Sequence, residues 1–451
     1  MGEQQPFDWQ RRPEVESFLL QLLADFRGNN RDLEQLEAKL KAVTSTRLFD
    51  WIDHFVVEDS LHIRTKLSEM GFVREESEPV SSYVYPGVML PAVVFSANKF
   101  SHHPGVALRV ENIADFIQFN GFNGTIEGAP LAPFRQCCVS LDNGAALYAV
   151  ERRGTRAMQT VSLADGFQQQ YHTGLEQWQL IPRGLVDEEQ AFSAIFATVD
   201  SLVRSFGPDL AAHIVCEGER RYWLSRNYAA RIQKMRQDIL GMGWANNDHH
   251  TFRSSRQYFT RLVDLFSRLG FTKRERFYAG KEAGWGAQVM ENSTAGLSLF
   301  LDVDLAPEEV SVDFSTQPLE ERDQLGTVGL WCALHGDSIL KAGMHHLAVD
   351  CLFGDLVQDV EQYGIAFMAP FSDFEYLKQA FSKGEIWEVD PLRVQNLLEQ
   401  KRITQEKAEQ FLHKGVLGSH LENIQRRDGY KGFNKKNVNV IIKETDPRVY
   451  N

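Results

Sequence analysis

Asp248-His249-His250-Thr251-Phe252-Arg253 opens a β-like run, and an amphipathic stretch follows it into Phe266-Ser267-Arg268-Leu269-Gly270-Phe271-Thr272-Lys273-Arg274-Glu275. The same order of features stands about two hundred residues earlier. There Asp53-His54 begins the β-like run, and Leu67-Ser68-Glu69-Met70-Gly71-Phe72-Val73-Arg74-Glu75 closes the amphipathic stretch behind it. Strand, helix, Gly-Phe turn and strand, with a histidine in the same place each time, mark a duplicated module. Within one chain the two copies then serve as controls for one another.

Outward from these copies the chain divides into segments. Apolar positions in VESFLLQLLADF and LEQLEAKLKAV recur at helical spacing, which predicts two N-terminal helices within residues 1–47. From 48 to 165 the period changes to two and turn residues multiply, as expected of a first β-rich unit. Residues 166–245 read as a connector of packing helices, 246–395 as the second β-rich unit, and 396–451 as a helical tail beginning near PLRVQNLLEQ and ITQEKAEQFLHK. Two strand-helix-strands units facing each other form a cupped half-barrel pair, and two such pairs account for the length. The predicted fold class is α+β.

Composition excludes several functions. The chain has 451 residues and a net charge of −13, too acidic for general attraction to nucleic-acid phosphates. No apolar run is long or uniform enough to cross a bilayer, and MGEQQPFDWQ lacks the apolar core of a secretion signal. The five cysteines, Cys137, Cys138, Cys216, Cys332 and Cys351, form no CxxC and no regular framework, which suits a reducing cytoplasm. Gly280-Lys281-Glu282-Ala283-Gly284-Trp285-Gly286 lacks P-loop spacing and reads as a hairpin turn, and no Gly-x-Ser-x-Gly elbow occurs. The oligomeric state stays open.

Three segments of the second unit carry metal-ligand chemistry: Asp248 to Arg253, Met344-His345-His346-Leu347-Ala348-Val349, and Gly384-Glu385-Ile386-Trp387-Glu388. A non-haem Fe(II) or Mn(II) centre needs two neutral imidazoles and one carboxylate on one face, with positions left open for substrate and dioxygen. Neighbours on a strand point to opposite faces, so one of His249/His250, one of His345/His346 and one of Glu385/Glu388 faces inward. Strand periodicity leaves the choice open. His249 and Arg253 share a face about 13 Å apart along a strand. A guanidinium reaching back from there suits a carboxylate of a small substrate, gripped bidentately.

These segments resemble the vicinal oxygen chelate superfamily, which includes glyoxalase I, extradiol dioxygenases and 4-hydroxyphenylpyruvate dioxygenase. The resemblance implies paired βαβββ modules, a histidine opening the first strand of a module and a glutamate in a Gly-x-x-x-Glu ending strand. Carried onto this chain, it implies the ligands His249, His346 and Glu388, with Gly384 as the turn glycine. Asn247-Asp248-His249 with Arg253 is similar to the 2-oxoadipate dioxygenase/decarboxylase branch, although the second histidine lacks the Pro-Asn that precedes it there. That branch implies Fe(II), a 2-oxo acid, dioxygen and an arginine on the substrate carboxylate. The same cup with Zn or Ni implies glyoxalase-type isomerase or lyase chemistry, and without metal a small-molecule-binding protein.

In the first copy His54 matches His249, but Glu58 stands where Arg253 would and Tyr148 where the carboxylate ligand would fall. The first unit is therefore expected to be degenerate and to scaffold the second. The alternative is a site built from His54, His103 and Glu151.

Overall fold

The computed structural model describes residues 9–77, 80–96, 103–184, 187–434 and 442–449. Helices α1 (Pro13–Asn29) and α2 (Arg31–Thr44) come first, separated at Asn30, whose side chain accepts from Leu33 N and so caps α2. The first module follows: β1 (Ile52–Glu58), α3 (Leu61–Glu69), β2 (Val73–Ser77), β3 (Val80–Val84) and β4 (Ala92–Ser96). Its partner is β5 (Gly105–Arg109), α4 (Ile113–Asn120), β6 (Phe134–Asp142) and β7 (Ala145–Arg152). The sheet order is β2-β3-β4-β1-β5-β7-β6, with β1/β4 and β5/β7 parallel and the two modules joined by antiparallel β1/β5.

Helices α5 (Phe167–Gln179), α6 (Glu188–Phe206), α7 (Pro208–Leu224) and α8 (Tyr228–Asp238) follow between the two sheets in the chain. Their apolar stripes, including Leu175, Trp178, Ile195, Val199, Ile214 and Val215, join one core with the back of the second sheet.

The second sheet repeats the plan of the first. Its third module is β8 (Asn247–Arg253), α9 (Phe259–Arg268), β9 (Thr272–Tyr278), β10 (Trp285–Asn292) and β11 (Leu297–Asp304), after which α10 (Thr327–His335) crosses to the fourth. The fourth begins with β12 (His346–Val349), α11 (Phe353–Glu361), β13 (Ser372–Phe374) and β14 (Leu377–Phe381). Then β15 (Glu385–Trp387), α12 (Pro391–Glu399) and α13 (Gln405–Lys414) intervene before β16 (Val416–Arg426), and a short α14 (Ile442–Thr445) ends the described chain. The path is β13-β14-β16-β12-β8-β11-β10-β9, with β8/β11 and β12/β16 parallel, β8/β12 antiparallel, and β15 attached to β16.

The fold class is α+β, as expected, and each sheet is built from two strand-helix-strands modules. Both sheets are open and mixed. One expectation changes: the second unit does not end at 395, and 396–451 is not a tail. Its last module strand is β16, and α12 and α13 are an insertion ahead of it, docked through Val394, Leu397 and Phe411 onto Leu330 and Leu334 of α10. A parallel strand pairing needs a long connection, and this one absorbs two helices at low entropic cost.

All five cysteines are unpaired, and among the described residues no helix is long and apolar enough to cross a membrane.

Candidate metal centre

Strand alternation separates the faces of β8. Phe252 turns to the core, its ring 5.0 Å from Phe266 of α9, and His250 turns to α7, where its Nε2 is 3.0 Å from Arg220 Nη1. His249, Thr251 and Arg253 line the opposite face and enter one cavity. On β12 the pair behaves differently from expectation. The strand starts at His346, so His345 is not bound by its alternation, and both imidazoles line the cavity.

His249, His346 and Glu422 bring one ligand atom each to within 4.8 Å of one another, and all three are buried. Glu422 Oε2 is 3.2 Å from His249 Nε2 and 3.1 Å from His346 Nε2. Glu422 sits on β16 opposite Ala348, which is itself opposite His249 across β12/β8, so the pairing register delivers all three to one spot.

The structure does not bring Glu388 to this spot. Glu388 is exposed, and Glu385 accepts from Tyr228 N at 2.6 Å. The Gly384-Glu385-Ile386-Trp387-Glu388 segment is a short edge strand whose buried member is Trp387, stacked under Arg226 at 3.7 Å and donating from Nε1 to Arg226 O. Within the second half of the chain the pattern Gly-x-x-x-Glu recurs as Gly418-Ser419-His420-Leu421-Glu422, and this copy lies on the strand parallel to β12. The eleven-residue β16 run containing it was the available signal, hidden by the inserted helices.

Each prospective ligand has a fixed neighbour, as metal ligands require to hold their geometry. His249 Nδ1–H donates to Asp248 Oδ2 at 2.7 Å, and Asp248 is gripped by Arg426 at 2.6 and 3.1 Å. Gln379 Nε2 donates to Glu422 Oε1 at 3.1 Å. His346 Nδ1 lies 2.8 Å from His345 Nδ1. Burial opposes charge on His249, but Glu422 and Asp248 outweigh it and hold the imidazole at about 9. Burial likewise opposes the Glu422 carboxylate, and the two imidazoles outweigh it, bringing it to about 2. Burial keeps His346 low and His345 and His420 well below the usual imidazole range. Without metal the centre is therefore a carboxylate clamped by an imidazolium, with a neutral imidazole on its other side. A divalent ion displaces that one proton and meets two neutral nitrogens and one anionic oxygen, a donor set that fits Fe(II), Mn(II) or Zn(II).

The rest of the cavity is aromatic on one side and polar on the other. Phe277, Phe300, Phe371, Phe381 and Phe433 form the apolar side, with Phe300 packed 4.4 Å from the His249 ring. Arg253 is buried on the polar side with its Nε and Nη1 unpartnered, and the nearest carboxylate, Asp302, stays 4.0 Å from Nε, beyond hydrogen-bonding reach. Burial raises Asp302 to about 7 despite that arginine.

The first sheet repeats the support but not the ligands. His54 Nδ1–H donates to Asp53 Oδ1 at 2.7 Å, and Arg152 holds Asp53 at 2.6 and 2.8 Å, as Arg426 holds Asp248. By register His54 lies opposite Ala107, which lies opposite Tyr148, so Tyr148 occupies the place of Glu422. Gly105 occupies the place of His346, and a Cβ there would lie 2.0 Å from Ala146 O, leaving no room for a ligand. The alternative trio is not assembled either. His103 is exposed, while Glu151 is buried against Arg135 and Arg153 and accepts from Ile113 N at the start of α4.

No protein-family model and no curated protein matches the chain. Among solved structures it is similar to a mutant 4-hydroxymandelate synthase from Streptomyces coelicolor, at 12% identity and TM-score 0.30 over 88% of this chain and 99% of that one. A putative hydrolase from Shewanella frigidimarina NCIMB 400 gives 15% and 0.30 over 54% and 97%. Methylmalonyl-CoA epimerase from Mycobacterium tuberculosis gives 10% and 0.23 over 41% and 89%. Scores this low lend no weight to any chemistry, which rests on the side chains of the cavity.

Proposed function

We propose that this protein is a non-haem Fe(II)-dependent dioxygenase/decarboxylase acting on a small 2-oxo acid, with a preference for dicarboxylates. The observation that carries the reading is the convergence of His249, His346 and Glu422 in a cavity that also holds a buried guanidinium with two unpartnered nitrogens. His249, His346 and Glu422 would hold the ion from one side of the cavity, with the substrate space on the other. Bound Fe(II) supplies the redox chemistry that dioxygen requires.

The protein's own residues set the substrate. A divalent ion and Glu422 together leave one positive charge, and Arg253 adds a second. Asp302, raised to about 7, subtracts less than a full charge at neutral pH. The cavity thus favours a dianion, with one carboxylate at the metal and the other on Arg253. The phenylalanine side excludes water and strengthens each of these contacts. Arg253 thereby orients the 2-oxo end against the open face of the centre. With no second oxygen acceptor in the proposed reaction, both atoms of dioxygen stay in the product, so the products would be carbon dioxide and a hydroxy acid one carbon shorter, with one oxygen in its new carboxylate and the other in its hydroxyl.

The test is dioxygen uptake and carbon dioxide release by Fe(II)-loaded protein with mono- and dicarboxylate 2-oxo acids, beside Zn(II)- and Ni(II)-loaded protein. Uptake confined to Fe(II) and to 2-oxo acids is expected. Turnover of a 2-oxo aldehyde thiol adduct by Zn(II) or Ni(II) protein without dioxygen uptake would instead make it a glyoxalase-type isomerase. In Arg253→Ala the KM for dicarboxylates should rise by roughly 30-fold or more, the loss of a charge-assisted pair of about 2 kcal/mol. Metal content should not change, and loss of metal would make Arg253 structural instead.

A further inference from the structure

We infer that His345 is a specificity residue, whose Nε2–H joins Arg253 in binding the substrate carboxylate farthest from the metal. The inference rests on the proposed ligation of metal by His346 and on a 2-oxo diacid as substrate.

It begins with a tautomer. With a metal ion on His346 Nε2, the nitrogen that faces Glu422 at 3.1 Å, the proton of this imidazole is on Nδ1. That proton points at His345 Nδ1, 2.8 Å away, which must therefore accept. The single proton of neutral His345 is then on Nε2. This nitrogen is buried and has no partner in the protein, although the ring lines the cavity.

The ring is not free to turn away. It stands edge-to-face against Trp331 at 5.3 Å and His420 at 5.1 Å. Its backbone is tied on both sides, N to Thr251 O at 2.8 Å and O to Ser419 Oγ at 2.6 Å. Trp331 is shared, because the Arg253 guanidinium lies 5.4 Å from the same indole. The same indole thus borders an imidazole and a guanidinium that line one cavity, and the Nε and Nη1 of the guanidinium also lack partners. Buried donors left unmet are costly, and a cluster of them on one wall identifies the group that belongs there as an acceptor-only oxyanion. The wall holds six of the fourteen unpartnered buried side-chain atoms among the described residues: those three, Thr251 Oγ1 and both nitrogens of His420.

Two substitutions separate the two faces of the imidazole. His345→Asn places an amide oxygen where Nδ1 accepts from His346 but removes the ε donor. His345→Gln restores a donor at the ε position and leaves His346 Nδ1–H without its acceptor. Metal affinity is read by chelator competition, and anaerobic binding of 2-oxoglutarate and 2-oxobutyrate to Fe(II)-loaded protein is read by calorimetry. In His345→Asn, 2-oxoglutarate should bind roughly tenfold more weakly with 2-oxobutyrate nearly unchanged, as expected for one lost donor to a charged group. His345→Gln should keep the preference for the diacid and bind metal roughly tenfold more weakly. Should His345→Asn retain the wild-type preference, or should both variants lose metal alike with no change in preference, His345 is structural and the inference falls. If wild-type protein holds metal but binds neither acid, the substrate reading fails first and takes this one with it.

Discussion

Replacing Asp248 with Asn, and Asp53 with Asn in parallel, separates what the duplicated Asp-His-Arg support does for the fold from what it does for the metal. Both aspartates are buried, accept from the following histidine at 2.7 Å and are held by an arginine four residues past the position of the prospective carboxylate ligand. In both, burial opposes the charge but the arginine outweighs it, so the carboxyl group lies below the usual carboxylate range. An amide offers a donor where one acceptor stood and leaves a buried guanidinium uncompensated, which costs about 3–5 kcal/mol. The metal-free variants should therefore lose similar stability in urea unfolding. Metal affinity should split them. Only Asp248 orients a prospective ligand, so Asp248→Asn should weaken metal binding by roughly 10- to 100-fold, about 1.4–2.7 kcal/mol, while Asp53→Asn leaves it unchanged. Equal loss of metal affinity in both variants, or none in Asp248→Asn, would refute the reasoning.

Metal binding should release close to one proton per ion at neutral pH, because His249 in the metal-free protein is held at about 9. Calorimetry in buffers of different ionisation enthalpy measures it, and affinity should climb about tenfold per pH unit until pH approaches 9. For the metal-free protein the signs are opposite at the two ends of the pair. The His249 contribution to stability, raised from an ordinary 6.5, is complete below that pH and disappears as pH rises through about 9. The Glu422 contribution, lowered from 4.5, is complete above that pH and disappears as pH falls through about 2. Gly418→Ala would put a Cβ 2.0 Å from the Trp387 ring, so it should cost about 1–3 kcal/mol in thermal or urea unfolding by expelling that indole. A neutral result would mean that β15 does not anchor β16.

The duplicated module was legible because its period and its Gly-Phe turns recur, whereas strand alternation left His249 and His250 open and only the resemblance chose His249. The carboxylate was not. A Gly-x-x-x-Glu spacing says nothing about which strand pairs with β12, and the copy at Gly384 begins an insertion built on Trp387. A long-range signal did exist: Tyr148 is followed by Arg152 as Glu422 is by Arg426, and that repeat locates β16 as the counterpart of β7. The inward turn of both His345 and His346 was hidden because alternation holds only inside a strand, and β12 begins between them. The degeneracy of the first unit was visible in Tyr148, whereas the loss at Gly105 needed the strand register.

The central claim is that one ion is held by two histidines and by Glu422. The direct measurement is iron per chain after anaerobic purification of wild-type protein and of His249→Ala, His346→Ala, Glu422→Ala and Glu388→Ala. Iron near one per chain in wild type and Glu388→Ala, and lost from the other three, is the predicted result. Iron retained in Glu422→Ala and lost in Glu388→Ala would contradict it.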